Sequence, residues 1–237
     1  MTKQLVKHSF IKVLDAAVAF LFDFDGVLAD SEPLFRRSWN IALAPWGHEI
    51  SPEDYWKYWS SLGEGLEGEI RRYGLNDIDV SLAGKRQKTI YENFVNDGLV
   101  PLFPGTVRLL ETLSSSEIAS RWQFCIASNT PARLIRSILQ KGGAKIPLIV
   151  GGDNLKKKPA PDIFLRASEL LGVNPLSTLV FEDSWKGVAA AEKGGFISVL
   201  VLNSHNRRLD IKSEFVIDSI QFVLDLLMKG ACNESYS

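Results

Sequence analysis

The first strong signal in the hydrophobic pattern is an apolar run, Val18 to Phe22, that stops abruptly at Asp23-Phe24-Asp25-Gly26. A run this short and this uniformly apolar, bounded by glycine, predicts a strand over 18–24 that is buried on both faces. Helical spacing then takes over. Residues 32–43 put Leu34, Ser38 and Ile41 on one face and run into Pro45. Ser51-Pro52-Glu53-Asp54 reads as a helix start, with Ser as N-cap, Pro in the first position and acids in the first turn. Further helices are predicted over 66–73 and 82–95, so 33–99 forms a helical block with no convincing strand.

Past Pro101, Pro104 and Gly105 the pattern alternates. Apolar runs at 122–127, 147–150, 178–181 and 196–202 are separated by helical patterns near 105–117, 131–141, 160–171 and 185–193. Such alternation predicts an α/β fold with a doubly wound, Rossmann-like parallel sheet. The first strand joins that sheet only if 33–99 is an insertion leaving from its carboxyl end. The expected organisation is therefore an α/β core made of 1–32 and 100–237, with a small all-helical cap domain over 33–99. No internal repeat argues for a solenoid, and 229–237 is expected to be disordered.

Composition narrows this only modestly. The 237 residues suit one large α/β domain with a small insertion. A formal net charge of -1 gives no bias toward nucleic acid or membrane, and neither is expected as a partner. Cys125 lies in an apolar run and Cys232 in a polar tail, so no disulfide is expected and the chain reads as cytoplasmic. Lys3, Lys7 and Lys12 before the apolar stretch from Val13 to Phe22 imitate a signal peptide. Asp15, Asp23 and Asp25 interrupt that stretch and no small-residue cleavage site follows, which favours the strand.

Four segments place polar groups where an apolar strand ends or a helix begins. Asp23 and Asp25 end the first strand, where open α/β sheets bind ligands. Two acids buried this close call for a cation, and carboxylate oxygens suit Mg²⁺. The same spacing in Asp77-Ile78-Asp79 follows Gly74 in a polar, turn-like segment and carries no such implication. In Ser128-Asn129-Thr130-Pro131, hydroxyl and amide groups precede a helix, which fits either an anion site or plain helix capping by Asn129 or Thr130. In Lys158-Pro159-Ala160-Pro161, two prolines fix the direction of Lys158, a candidate phosphate partner, while Lys156 and Lys157 read as solvated. Glu182-Asp183-Ser184 ends another apolar run, with Asp183 or Ser184 available as an N-cap. On one parallel sheet these four ends converge on a single edge. Acids from two strands then hold a metal, while Lys158 and Ser128 hold phosphate oxygens beside it.

These residues resemble the motifs of the haloacid dehalogenase superfamily of phosphohydrolases and phosphomutases. Asp23-Phe24-Asp25-Gly26-Val27 is similar to its first motif, Ser128 to its second, Lys158 to its third and Glu182-Asp183 to its fourth. Asp30-Ser31-Glu32-Pro33-Leu34 and Lys158-Pro159-Ala160-Pro161-Asp162-Ile163-Phe164 resemble the subgroup of β-phosphoglucomutase, phosphoglycolate phosphatase and sugar-phosphate phosphatases. The resemblance implies an Mg²⁺-dependent phosphoric monoester hydrolase acting on a small phosphorylated substrate, working as a monomer or weak dimer. Asp23 would be the nucleophile and Asp25 the general acid and base. Asp23, the Asp25 carbonyl, Asp183 and Glu182 would serve the metal, and Ser128, Asn129 and Lys158 the phosphoryl oxygens.

β-Phosphoglucomutases carry a His, an Arg and a Lys where this chain places Phe35, Leu66 and, by the surrounding pattern, Gln87. That favours hydrolysis over a mutase, with a non-catalytic binding protein on a hydrolase scaffold as a third possibility. The glycine-rich stretch around Glu64, Gly65 and Leu66 is a candidate for substrate selection, or an ordinary interhelical turn. The aromatic set Tyr55, Trp56, Tyr58 and Trp59 is expected to pack inside the cap. No role is assigned to His48 or His205.

Overall fold

A computed structural model describes residues 3–234, and the chain divides into two compact units, Met1–Ala29 with Leu102–Ser237, and Asp30–Pro101. In the first unit, helix α1 (Lys3–Ala16) leads into strand β1 (Ala19–Phe22). After residue 101 follow α6 (Thr106–Leu113), α7 (Ser116–Ala119), β2 (Gln123–Ser128), α8 (Ala132–Lys141), β3 (Ile149–Gly151) and α9 (Asp162–Leu171). The unit closes with β4 (Thr178–Glu182), α10 (Trp185–Lys193), β5 (Ile197–Val201), β6 (Phe215–Ile217) and α11 (Ile220–Glu234). All five pairings are parallel, in the order β3-β2-β1-β4-β5-β6.

This order reverses direction at β1 and β4, the topological switch point where such sheets bind ligands. Every residue of β1 and of β4 is buried, as strands covered on both faces require. Phe22 pairs with Phe181 and their rings stack 4.8 Å apart, fixing the register so that Asp23 emerges level with Glu182. One face of the sheet packs Leu21, Cys125, Val180, Ile163, Phe164 and Phe196 into a continuous apolar core.

The second unit holds α2 (Glu32–Leu43), α3 (Pro52–Asp54), α4 (Gly65–Tyr73) and α5 (Val80–Asn96), a helical region between β1 and β2 consistent with a cap insertion. Ser51 caps α3 through the Asp54 amide, and the chain continues as a π-helical segment, Tyr55–Ser61. Tyr55 and Trp59 are buried with Leu43, Ile50, Leu66 and Ile78, and Trp56 and Tyr58 pack against them. Asp79 accepts from the Leu82 amide as the N-cap of α5, a purely local use of the Asp77-Ile78-Asp79 spacing.

Some expectations need correction. The apolar stretch from Val13 is not strand throughout, because 3–16 form α1 and bury Phe10 and Leu14. The pattern near 105–117 is two helices, α6 and α7, broken between Leu113 and Ser116. Residues 229–234 continue α11 instead of forming a disordered tail; 235–237 and the Cys232 side chain lie outside what is described. Cys125 is buried and carries no disulfide. Among the described residues, no helix is long and apolar enough to cross a membrane.

Candidate active site

The carboxyl ends of β1, β2 and β4, with the loop before α9, bring Asp23, Ser128, Glu182 and Lys158 together. The Asp23 amide donates to the Phe181 carbonyl at 2.9 Å, which extends the ladder one residue and aims the side chain off the sheet edge. Lys158 Nζ lies 2.7 Å from Asp23 Oδ1 and 2.6 Å from Glu182 Oε1, and donates to the Ala127 carbonyl at 3.1 Å. Its three ammonium directions are thereby used by the protein. It also stands 4.6 Å from the Phe164 ring centroid.

Glu182 is fully buried. Its second oxygen accepts from the amides of Asp183 and Ser184 and from the Ser184 hydroxyl at 3.0–3.2 Å. Burial raises the Glu182 pKa, Lys158 offsets part of that, and nearby Asp23 adds to it. Burial alone would lower the Lys158 pKa, but Asp23 and Glu182 hold it above the usual lysine range, so the ammonium stays charged. Asp23, Glu182 and Asp183 place one carboxylate oxygen each within 4.8 Å of the others. Three carboxylates gather their oxygens here, and hard oxygen donors in this number suit a divalent cation such as Mg²⁺.

Two glycines make this crowding possible. Gly26 has φ +76°, and a Cβ there would fall 1.8 Å from Asp183 Oδ2. In the first turn of α10, a Cβ on Gly187 would sit 1.7–2.1 Å from the Glu182 carboxylate. Glycine is required at 26 for the left-handed turn and at 187 for close approach.

Asp25 stands apart from the acid cluster. Its Oδ2 accepts from Thr130 Oγ1 at 2.6 Å and from Ser128 Oγ at 3.2 Å. Ser128 Oγ also accepts from the Thr130 amide, and Asn129 Oδ1 from the Lys158 amide at 3.1 Å. Neither Asn129 nor Thr130 caps α8: its N-cap residue is Pro131, which has no side-chain cap, and Asp153 takes the Ala132 amide instead. Ser184 does cap α10, through the Gly187 amide. Lys156 and Lys157 are exposed.

In the cap, Glu64 pairs with Arg72, Gly65 takes φ +58°, and Leu66 is buried in the cap core. Phe35 lies edge-on to Tyr91, and Gln87 is buried and donates to Ser38 Oγ. Two polar residues around the site were missed by motif spacing, Asn203 and Asn206 on Asp183, while Thr130, an anion-site or capping candidate, serves Asp25. Asn203 follows the apolar end of β5, the same pattern of a polar group at a strand end that marked the others.

The family model for haloacid dehalogenase-like hydrolases matches residues 18–195. Protein CbbY of Rhodobacter capsulatus is 30% identical over 207 residues, covering 82% of this chain and 89% of that protein. A phosphorylated carbohydrates phosphatase of Thermotoga maritima is 30% identical over 187 residues, covering 75% and 81%. A β-phosphoglucomutase of Mycobacterium bovis is 28% identical over 228 residues, covering 80% and 82%.

Proposed function

The chain belongs to the haloacid dehalogenase-like hydrolases, and we propose that within them it is a Mg²⁺-dependent phosphatase hydrolysing a small phosphorylated metabolite, a sugar phosphate or a phosphoglycolate-like ester, through a phosphoaspartate. The observation that carries this reading is the buried cluster of Asp23, Glu182 and Asp183 with Lys158 among its carboxylates. Asp23 attacks phosphorus in line, displacing the substrate alcohol and becoming the phosphoaspartate. Lys158 keeps Asp23 oriented and turns one N–H from a present acceptor to a phosphoryl oxygen, which the Ser128 hydroxyl, leaving Asp25, and the Asn129 side-chain N–H also meet. Asp25 gives its proton to the leaving oxygen, then takes one from the water that attacks the phosphoaspartate, releasing phosphate and restoring Asp23. The Thr130 hydroxyl holds the Asp25 carboxylate for both transfers. Asp23, Asp183, Glu182 and the Asp25 carbonyl are the groups for Mg²⁺, which when bound supplies the positive charge that lets an anionic nucleophile approach an anionic ester.

A β-phosphoglucomutase-like transferase is the second reading, kept by the similarity to the mycobacterial mutase. Against it, Phe35, Leu66 and Gln87 stand where mutases carry cationic groups, and Leu66 and Gln87 are buried in the cap. The substrate-selecting role of Glu64, Gly65 and Leu66 remains part of the proposal.

Release of p-nitrophenolate from p-nitrophenyl phosphate tests the activity: we expect turnover with Mg²⁺ that chelation abolishes. No release from a folded, Mg²⁺-supplied sample would contradict it. Conversion of β-glucose 1-phosphate to glucose 6-phosphate, with a trace of the bisphosphate present, would favour the mutase. A screen over phosphosugars, phosphoglycolate and nucleotides then ranks substrates.

A further inference from the structure

The loop leaving β5 carries two buried amide side chains, Asn203 and Asn206, that bond Asp183 of the acid cluster. Asn203 Nδ2 donates to the Gly26 carbonyl and to Asp183 Oδ2, each at 3.0 Å. Its Oδ1 accepts from the amides of His205 and Asn206, closing the loop's own turn. Asn206 Nδ2 donates to the Asp183 carbonyl at 2.8 Å and to the Val201 carbonyl at 2.9 Å, while its Oδ1 accepts from the Asn203 amide. Asp183 is thus held at both its carboxylate and its backbone, and the loops after β1, β4 and β5 are pinned at one point.

We propose that Asn203 is a positioning residue for a divalent cation, acting through Asp183 and Gly26; this rests on the cation reading above. The chemistry of the donor matters. An amide N–H fixes a carboxylate's orientation without neutralising it, whereas a lysine or arginine in the same place would cancel the charge a cation needs. One Asp183 oxygen taken by a neutral donor leaves the rest of the carboxylate preoriented and still anionic. Holding the Gly26 carbonyl steadies the turn beside Asp25 and Asp23 in the same contact. The side chain does two separable things, orienting Asp183 through Nδ2 and closing its own turn through Oδ1.

Asn203 borders a cavity of about 480 Å³ whose wall includes Gly26, Val27, Leu202 and Ile220, so substitutions there meet space and not a packed core. The test is calorimetric titration of Mg²⁺ into the full chain without substrate, comparing wild type, Asn203→Ser and Asn203→Ala. Serine keeps an acceptor for the turn but is too short to reach Gly26 and Asp183. We expect both variants to bind Mg²⁺ about tenfold more weakly, with the Mg²⁺ activation constant for p-nitrophenyl phosphate hydrolysis rising by the same factor. Wild-type affinity in Asn203→Ser would overturn the proposal, leaving Asn203 a turn residue. Loss of cooperative melting in both variants would also overturn it, assigning the residue to folding. A wild type that binds no Mg²⁺ would remove the cation reading and this proposal together.

Discussion

Glu182 in the core and Glu69 in the cap are both fully buried carboxylates, and they are surrounded in opposite ways. Glu69 is met by donors: His48 Nε2 at 2.8 Å, Trp59 Nε1 at 2.9 Å and Arg72 at 2.9 Å, with Arg72 itself 3.7 Å from the Tyr58 ring centroid. Glu182 shares its lysine with Asp23 and stands within reach of Asp183. The first arrangement closes on itself and makes structure. The second crowds acids together at a strand end, and a buried acid crowded by other acids is what a functional site needs.

The largest expected contrast comes from removing the nucleophile. Asp23→Asn should lower kcat at least about a thousandfold, some 4 kcal/mol of barrier, while the fold is retained, because the change relieves a crowd of like charge. More than a trace of remaining activity would refute the role. Lys158→Met and Glu69→Ala attack the two carboxylate environments directly. Lys158→Met strands two buried carboxylates and should cost about 3–5 kcal/mol in denaturant unfolding. Glu69→Ala leaves the Trp59 N–H without its acceptor and should cost about 1–3 kcal/mol, but only Lys158→Met should also abolish turnover. Equal activities in the two variants would erase the distinction. Mg²⁺ at a hundredfold over its dissociation constant should stabilise wild type and Glu69→Ala alike by about 2.7 kcal/mol, and Asp183→Asn far less.

Cys125 gives a reference case, a buried acid in an apolar core. Burial pushes its thiol up to about 12, well above the ordinary range of a cysteine. The unfolded chain then loses this proton first, so the folded state binds more protons above pH 9. Stability should therefore fall as pH rises from about 9 toward 12, by up to about 1.4 kcal/mol per unit. Cys125→Ser that leaves this slope intact would assign it elsewhere. The smallest contrast is between two helical glycines. Gly84→Ala in α5 meets open space and should stabilise by about 0.5–1 kcal/mol. Gly187→Ala displaces Glu182 and should lose both stability and activity. A gain at 187 matching that at 84 would show that Glu182 has room to move.

The core elements were legible where burial and periodicity agreed. The helix at 32–43 has its predicted bounds, and the runs containing β1, β2, β4 and β5 stand out because both faces of each strand are covered. β6 was not legible: three residues with Val216 exposed between Phe215 and Ile217 make too short a pattern. α1 was hidden because its last apolar turn merges with the run that becomes β1. α11 was not legible as a helix, and the polar residues of its last turns read as a tail. In the site, Asp23, Lys158, Glu182 and Asp183 were legible from strand ends. Their pairing was not, since only the fold shows that Lys158 bridges two acids while Asp25 turns to Thr130. Asn203 stands at a strand end but, like Asn206, bears no charge and belongs to no motif spacing, so the contact of both with Asp183 emerges only from the folded loops.

The central claim is that Asp23 carries the phosphoryl group, and trapping tests it most directly. Wild-type protein quenched during turnover of p-nitrophenyl phosphate with Mg²⁺, then reduced with borohydride, should yield homoserine at position 23 in its peptide map. Homoserine at another aspartate, or none from a sample that is turning over, would contradict the account.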